Sequence, residues 1–226
     1  MEIGERMKNN YELRQRRKLI RRMPVILRLD GKAFHTLTKG AEKPFDEGLR
    51  MAMQKTAIKL CSEIQNVKLA YCQSDEISLF LVDYSNLDTD QWFDGNVDKM
   101  NSIAAAIASV EFSKIWGSDA YFDSRAFNIP KEEVCNYFIW RQLDATRNSI
   151  QMVAQSKFSH KSLQGLNTSD LQEKLFTEKE INWNDTETKN KRGYCIVKEG
   201  EGWVVDFETP IFTKDREYVE KYLISK

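Results

Sequence analysis

Two short apolar segments, 67–72 and 77–82, are separated by the four polar residues of segment 73–76. Apolar runs of this length on either side of a short polar spacer are typical of a β-hairpin. A third apolar and β-branched run, Val25–Leu29, precedes the turn signal Asp30-Gly31 and is predicted to be another buried strand. The chain is therefore expected to build a sheet that contains at least one antiparallel pair of strands.

Longer segments with helical periodicity alternate with these strands. Asp46 is a suitable N-cap for a helix that reaches about Ile64. Helices are also predicted at Asn96–Trp116, Lys131–Phe158 and Leu171–Thr177, and further strands at Tyr121–Ile129, Tyr194–Lys198 and Trp203–Phe207. The order β-α-β-β-α-β-α predicts an α+β fold, with an antiparallel or mixed sheet and helices packed on one face. We expect residues 1–160 to form the core, including a basic N-terminal segment, and residues 161–226 to form a smaller polar extension of the same globular unit.

Composition excludes several classes of protein. The 226 residues include 34 Lys+Arg and 34 Asp+Glu, a formal net charge of +0, so the chain is not globally basic. The sequence contains no apolar run long enough for a membrane span or a signal peptide, which favours a cytoplasmic location. Its four cysteines form no CxxC pair, which argues against a zinc ribbon. Only two histidines are present, so a histidine-rich metal site is not expected.

Two acidic turns are the main candidates for chemistry. Asp30 follows the first strand, and Asp75 lies in the hairpin turn beside Glu76. If the first strand lies beside the hairpin, both turns meet at one edge of the sheet, where two carboxylates and a backbone carbonyl would suit Mg²⁺. An ordinary solvated turn would contain the same residues, so the residues alone leave open both a metal site and a plain turn.

The segment after Asp30 offers a place for an anion. A turn that opens with Gly31 can point successive backbone N–H groups at a triphosphate, and Lys32 and Lys43 could add positive charge. Neither GxxxxGK[ST] nor GxGxxG occurs in the chain, so this is not a Walker A loop or a dinucleotide fingerprint.

Four ordered motifs carry a resemblance to a known family. They are Arg28–His35, Gln73–Ser78, Phe122–Arg125 and Trp140–Asp144. In these motifs the sequence resembles the tRNA(His) guanylyltransferase superfamily, and it is most similar to the bacterial and archaeal guanylyltransferase-like branch that repairs tRNA 5′ ends. The similarity extends from about Pro24 to Arg192. It implies a palm-like core, similar to that of polymerases and nucleotidyl cyclases, that adds nucleotides in the 3′-to-5′ direction.

The resemblance also implies roles for individual residues. Asp30, Gly31 and Asp75 would hold two Mg²⁺ ions, and Asp30, Asp75 and Glu76 would be the catalytic carboxylates. The nucleotide-binding residues would be Arg28, Gly31, Lys32, Ala33, Phe34, His35, Lys43, Asp46, Ser74 and Asp75. The implied partners are tRNA, GTP, ATP and other nucleoside triphosphates, and family members suggest a homo-oligomer, a tetramer.

One departure from the family pattern bears on the substrate. Enzymes that add the extra guanosine to tRNA(His) carry His-Ile-Asn-Asn where this chain has Thr-Arg-Asn-Ser at 146–149. This difference favours template-dependent repair over guanosine addition, which stays an alternative together with a nucleotidyl cyclase and a noncatalytic RNA-binding module. The expected RNA contacts are Arg125, Arg141, Arg147, Asn148, Lys191 and Arg192, although an arginine on a helix can equally be solvated or salt-bridged.

Overall fold

A computed structural model describes residues 1–224 of the chain, and its centre is a sheet of six strands. The strands are β1 (Val25–Gly31), β2 (Val67–Gln73), β3 (Glu76–Leu81), β4 (Phe122–Asn128), β5 (Tyr194–Glu199) and β6 (Gly202–Asp206). Their order across the sheet is β4-β1-β3-β2-β5-β6, and every neighbouring pair is antiparallel. The α+β prediction is confirmed, and of the two sheet types expected the antiparallel one is formed.

Helices connect and cover the strands. The four long ones are α3 (Glu47–Glu63), α4 (Val97–Trp116), α5 (Lys131–Lys157) and α7 (Thr168–Lys179); the short ones are α1 (Ile3–Met7), α2 (Phe34–Leu37), α6 (His160–Leu163), α8 (Thr188–Arg192) and α9 (Glu217–Glu220). A π-helical turn at Lys8–Glu12 and 3₁₀ turns at Leu13–Gln15, Trp92–Gly95, Trp183–Asp185 and Lys221–Leu223 complete the described elements. None of the helices within residues 1–224 is long and apolar enough to cross a membrane.

The ends of the long helices follow local chemistry. The Asp46 carboxylate accepts a hydrogen bond from the Leu49 N–H at 2.7 Å, and the Asn96 side chain accepts one from the Lys99 N–H at 3.1 Å. These N-caps satisfy N–H groups that have no partner inside the helix, so the predicted starts of α3 and α4 are correct within one residue.

The helices pack on both faces of the sheet, so the expectation of a single covered face was wrong. Leu27 and Leu29 of β1 belong to a buried cluster with residues of α3 and α4, whereas Ile26 and Phe80 belong to a second cluster with residues of α5. The cause is the two-residue periodicity of a strand, which sends alternate side chains to opposite faces. Because β1 and β3 are buried on both faces, most of their residues in the segments 25–29 and 77–81 are apolar.

The C-terminal region continues the sheet, because β5 pairs with β2. Gly193 precedes β5 with a φ of +74°, and a Cβ at this position would lie 2.4 Å from the Cys72 carbonyl oxygen. The Tyr71 hydroxyl donates a hydrogen bond to the Arg192 carbonyl at 2.5 Å. These close contacts fasten the segment before β5 against β2, directly behind the hairpin turn.

Candidate active site

Sheet register places the acidic residues side by side. β1 continues through Asp30 and Gly31, which were expected to form a turn, because Asp30 pairs with Glu76 of β3 on one side and with Asp123 of β4 on the other. The Gly31 N–H then donates to the Asp75 carbonyl oxygen at 3.1 Å. The end of β1 and the turn between β2 and β3 therefore meet at one edge of the sheet, as the sequence analysis expected.

Asp75 is in an unfavourable electrostatic position. The pKa of Asp75 is raised to about 6, chiefly by burial and to a smaller extent by the negative charge of Asp30. A divalent cation between the two carboxylates would relieve this cost, since it would replace the lost hydration and offset the repulsion.

Few side chains at this edge of the sheet could act as metal ligands, and the atoms they offer are oxygens. Within residues 1–224 no three or more His, Cys, Asp or Glu side chains come together as a metal-binding group. Glu76 and Asp123 are paired with arginines, so the oxygen donors left at this edge are the Asp30 and Asp75 carboxylates and the Gly31 carbonyl. Mg²⁺ is bound by one or two carboxylates, keeps several waters and accepts phosphate oxygens, so these residues fit that ion.

Glu76 and Arg141 form a buried ion pair next to the carboxylates. Arg141 Nε and Nη2 donate to the two Glu76 carboxylate oxygens at 2.7 and 2.6 Å, and Nη2 also donates to Asp144 at 2.9 Å. Both side chains are more than nine-tenths buried. The guanidinium of Arg141 is therefore paired inside the protein, the alternative that the sequence left open for these arginines, and it holds Glu76 in place.

A pocket of about 290 Å³ opens beside Asp75. Its lining includes Gly31, Ala33, Phe34, His35, Thr38, Leu49, Ser74 and Asp75. Two of these residues have left-handed backbone conformations although they are not glycine: Ala33 with φ 55° and Ser74 with φ 48°. Such strain costs energy and clusters at ligand sites.

The N–H groups around this pocket differ from the expectation. The Lys32 N–H donates to the Tyr121 carbonyl at 2.8 Å, so it is not available to an anion. The N–H groups of Phe34 and His35 begin α2, and the first N–H groups of a helix have no intrahelical acceptor. The Phe34 ring packs 5.0 Å from the ring of Phe112, so only its backbone faces a ligand. Lys32, His35 and Lys43 are exposed.

A second pocket, of about 90 Å³, shares Leu49 and Ser74 with the first. Its other lining residues are Phe45, Asp46, Arg50, Gln73, Ala145, Asn148, Ser149, Met152, Lys189, Asn190, Gly193 and Tyr194. The Gln73 Oε1 atom is buried without a hydrogen-bond partner among the described residues. Hydrogen bonds from Leu49 and Glu42 lower the pKa of Asp46, which therefore serves as an ionised N-cap as well as lining the pocket.

Sequence reasoning missed several residues of this pocket. Arg50 Nη1 donates to the Asn190 side chain at 2.9 Å across 140 residues of chain, and no local pattern predicts that contact. The one sequence signal is that Arg50 follows Asp46 by one helical turn and so lies on the same side of α3.

The other expected RNA contacts differ in exposure and in the partners they have within the protein. Arg125 on β4 is exposed and pairs with Asp123 at 3.1 Å, and Arg147 is exposed and pairs with Asp144. The Asn148 amide lines the second pocket, and Lys191 donates to the Asn184 carbonyl at 2.6 Å. Arg192 is partly buried. Arg125, Arg147 and Lys191 therefore each have a partner within the protein.

The fold and this edge of the sheet are those of a palm-type nucleotidyltransferase, in which a strand end and a hairpin turn present neighbouring carboxylates to a pocket. A family model described as tRNAHis guanylyltransferase matches residues 4–130. Two solved structures of bacterial tRNA(His) guanylyltransferase-like proteins are similar over nearly the whole chain. One, in complex with ATP, is 50% identical with a TM-score of 0.96 and full coverage of both chains. The other, in complex with GTP, is 48% identical with a TM-score of 0.89 and covers 98% of both.

A curated relative from Saccharomyces cerevisiae, tRNA(His) guanylyltransferase, is 28% identical over 202 residues, which are 78% of this chain and 83% of that protein. The chain belongs to the tRNA(His) guanylyltransferase family, whose members are nucleotidyltransferases that act on tRNA. The resemblance seen in the sequence motifs is thereby confirmed.

Proposed function

We propose that this protein adds nucleotides in the 3′-to-5′ direction to the 5′ end of truncated tRNA, with the complementary tRNA strand as template. The observation that supports the proposal is a pocket of about 290 Å³ that Gly31 and Asp75 line, with Asp30 next to Gly31 at the same edge of the sheet. The similarity to bacterial proteins described with ATP and with GTP supports a nucleoside triphosphate in this pocket.

The reaction proceeds in two transfers. The tRNA 5′-monophosphate first attacks the α-phosphorus of ATP or GTP, which releases pyrophosphate and leaves the 5′ end joined to a nucleoside monophosphate. The 3′-hydroxyl of the incoming nucleoside triphosphate then attacks the activated 5′ phosphate. A new phosphodiester bond forms and the nucleoside monophosphate leaves. A tRNA that already carries a 5′-triphosphate needs only the second transfer and releases pyrophosphate.

The residues of the site divide the work of positioning. Asp30, Asp75 and the Gly31 carbonyl would hold Mg²⁺, two ions by family resemblance, which when bound neutralises phosphate charge and activates the attacking hydroxyl. The N–H groups at the start of α2 would bind phosphate oxygens, and the partly apolar second pocket beside Ser74 would suit a planar base. No protein nucleophile is needed, because phosphoryl-type transfer depends on positioning and charge stabilisation. We further propose that the chain acts as a homo-oligomer, a tetramer as the family resemblance suggests.

Template dependence can be tested with matched tRNAs. The protein is incubated with Mg²⁺, each labelled nucleoside triphosphate in turn, and a tRNA that lacks its first nucleotide. The base opposite the gap is then changed. Repair predicts that the nucleotide added follows the opposite base each time, and that Asp30→Asn abolishes addition. Guanosine added whatever the opposite base would favour the tRNA(His) alternative. A cyclic product without RNA would indicate a cyclase, and no product at all would leave a binding module; either result would refute the proposal.

A further inference from the structure

Trp140 on α5 is a large apolar side chain that is exposed to solvent. It is 53% exposed, although its immediate neighbours Tyr137 and Arg141 are buried. The Cζ atom of Arg141 lies 4.4 Å from the centre of the Trp140 ring, and that of Arg28 lies 5.7 Å away. Cation–π contacts of this kind fix the indole in one orientation, so the ring is exposed but held in place.

The position of this ring follows from the sheet register. Arg28 and Asp30 are two residues apart on β1 and therefore point to the same face, the face covered by α5. Arg28 and Asp30 are therefore about 7 Å apart along the strand. This distance equals about two base-pair steps of a nucleic-acid duplex. Trp140, which contacts Arg28 and is carried by α5, therefore lies on the same face of the sheet as the Asp30 side chain. The ion pair of Arg141 with Glu76 ties the ring to the hairpin that carries Asp75.

Arg28 adds a second observation. Its Nε atom is buried and has no hydrogen-bond partner, and its guanidinium forms no ion pair with a carboxylate anywhere in residues 1–224. By contrast, Arg125, Arg141 and Arg147 are all paired with carboxylates. A cation that has no carboxylate partner and lies next to a fixed, exposed indole can bind a phosphate while the indole stacks on a base of the same nucleotide.

We propose that Trp140 is a stacking platform for the terminal base pair of the RNA at its 5′ end, with Arg28 beside it for the terminal phosphate. This inference rests on the proposed function, because it needs a base-paired RNA end at the site. A duplex end presents a flat apolar face, which matches an open ring on a surface better than a single base in a closed pocket. The platform sets the distance between the duplex end and the carboxylates and so positions the 5′ phosphate.

The test uses the full chain and an RNA hairpin with 2-aminopurine as its 5′-terminal nucleotide, without nucleoside triphosphate. Stacking on a ring quenches the fluorescence of this base. We expect the wild-type protein and Trp140→Phe to quench it, and Trp140→Ala and Trp140→Leu to bind on the order of 10-fold more weakly and to quench little at saturation. Leucine keeps the apolar surface without the ring, so it separates stacking from burial. ATP affinity is expected to be unchanged in all three variants.

Phe176→Ala provides the matched control, since Phe176 is 60% exposed on α7, a helix that does not line the carboxylate pocket. It should bind and quench as the wild type does. Unchanged quenching and affinity in Trp140→Ala, or full quenching in Trp140→Leu, would overturn the platform while tRNA repair by the wild type still stands. If the wild type extends no truncated tRNA and binds no hairpin, the proposed function fails and the platform fails with it.

Discussion

Replacing Asp75 by asparagine should stabilise the fold while it abolishes nucleotidyl transfer. The pKa of Asp75 lies at about 6, against 3.8 for a free aspartate, chiefly because burial disfavours the charged form. A difference of about two pH units corresponds to about 3 kcal/mol. Since Asp75 is only partly buried, solvent screening reduces the expected gain to about 1–2 kcal/mol. Asparagine keeps an oxygen that can accept the hydrogen bonds from Ser74 and from the backbone.

The sign of the pH dependence follows from linkage. The folded protein holds the proton of Asp75 more tightly than the unfolded chain does, so the cost of the charge is fully present above pH 7. It fades as the pH falls through 6 and is gone below about pH 4. The free energy of unfolding of Asp75→Asn should therefore exceed that of the wild type at pH 8, and the two proteins should converge at pH 4.

Thermal unfolding in EDTA measures this difference, and a gain of 1–2 kcal/mol corresponds to an increase in Tm of about 2–8 °C for a chain of this size. Added Mg²⁺ should raise the Tm of the wild type and leave that of Asp75→Asn nearly unchanged, because a ligand stabilises only the state that binds it. Asp88→Asn serves as the control, since Asp88 is exposed in the loop before α4. A variant Tm at or below that of the wild type at pH 8 in EDTA would refute the reasoning.

Two further substitutions test the rest of the site. Gly31→Ala would place a Cβ 2.3 Å from the Phe34 ring, so we expect a loss of stability of about 1–3 kcal/mol and weaker ATP binding; wild-type values in urea denaturation and ATP titration would count against this. Arg141→Met leaves Glu76 buried without its partner and should cost about 3–5 kcal/mol, whereas the double variant with Glu76→Gln should recover part of that loss. Costs that simply add in a double-mutant cycle would show that the pair is not coupled.

Local sequence signals predicted the elements of the fold well. The caps Asp46 and Asn96 marked the starts of α3 and α4 because an N-cap acts within its own turn of chain. The segment 34–37 was not predicted as a helix, since four residues give no periodicity to detect. The covering of both sheet faces was also missed, because an apolar run shows that a strand is buried but not which helices cover it.

The candidate site was predictable only in part. Asp30 and Asp75 could be paired from the sequence because both follow strands that a hairpin fold brings together. Two contacts depend on the packing of elements that are distant in the sequence: Arg50 with Asn190, and the buried pair of Arg141 with Glu76. Residue type alone could not predict them. An arginine on a polar helix is most often at the surface, and only the structure shows that this one neutralises a buried carboxylate.

The packing of the central strands explains both the position of the site and the electrostatic cost of its charged carboxylates. The β1 and β3 strands are central and buried on both faces, and their register is fixed because a slip of one residue would turn every apolar side chain to the wrong face. That register places Asp30 opposite Glu76 and brings the turn with Asp75 against Gly31. The carboxylates are therefore held close together by a core that cannot shift to relieve their repulsion. Arg141 neutralises Glu76, whereas Asp30 and Asp75 have no ion-pair partner within residues 1–224, and a bound cation would balance this remaining negative charge.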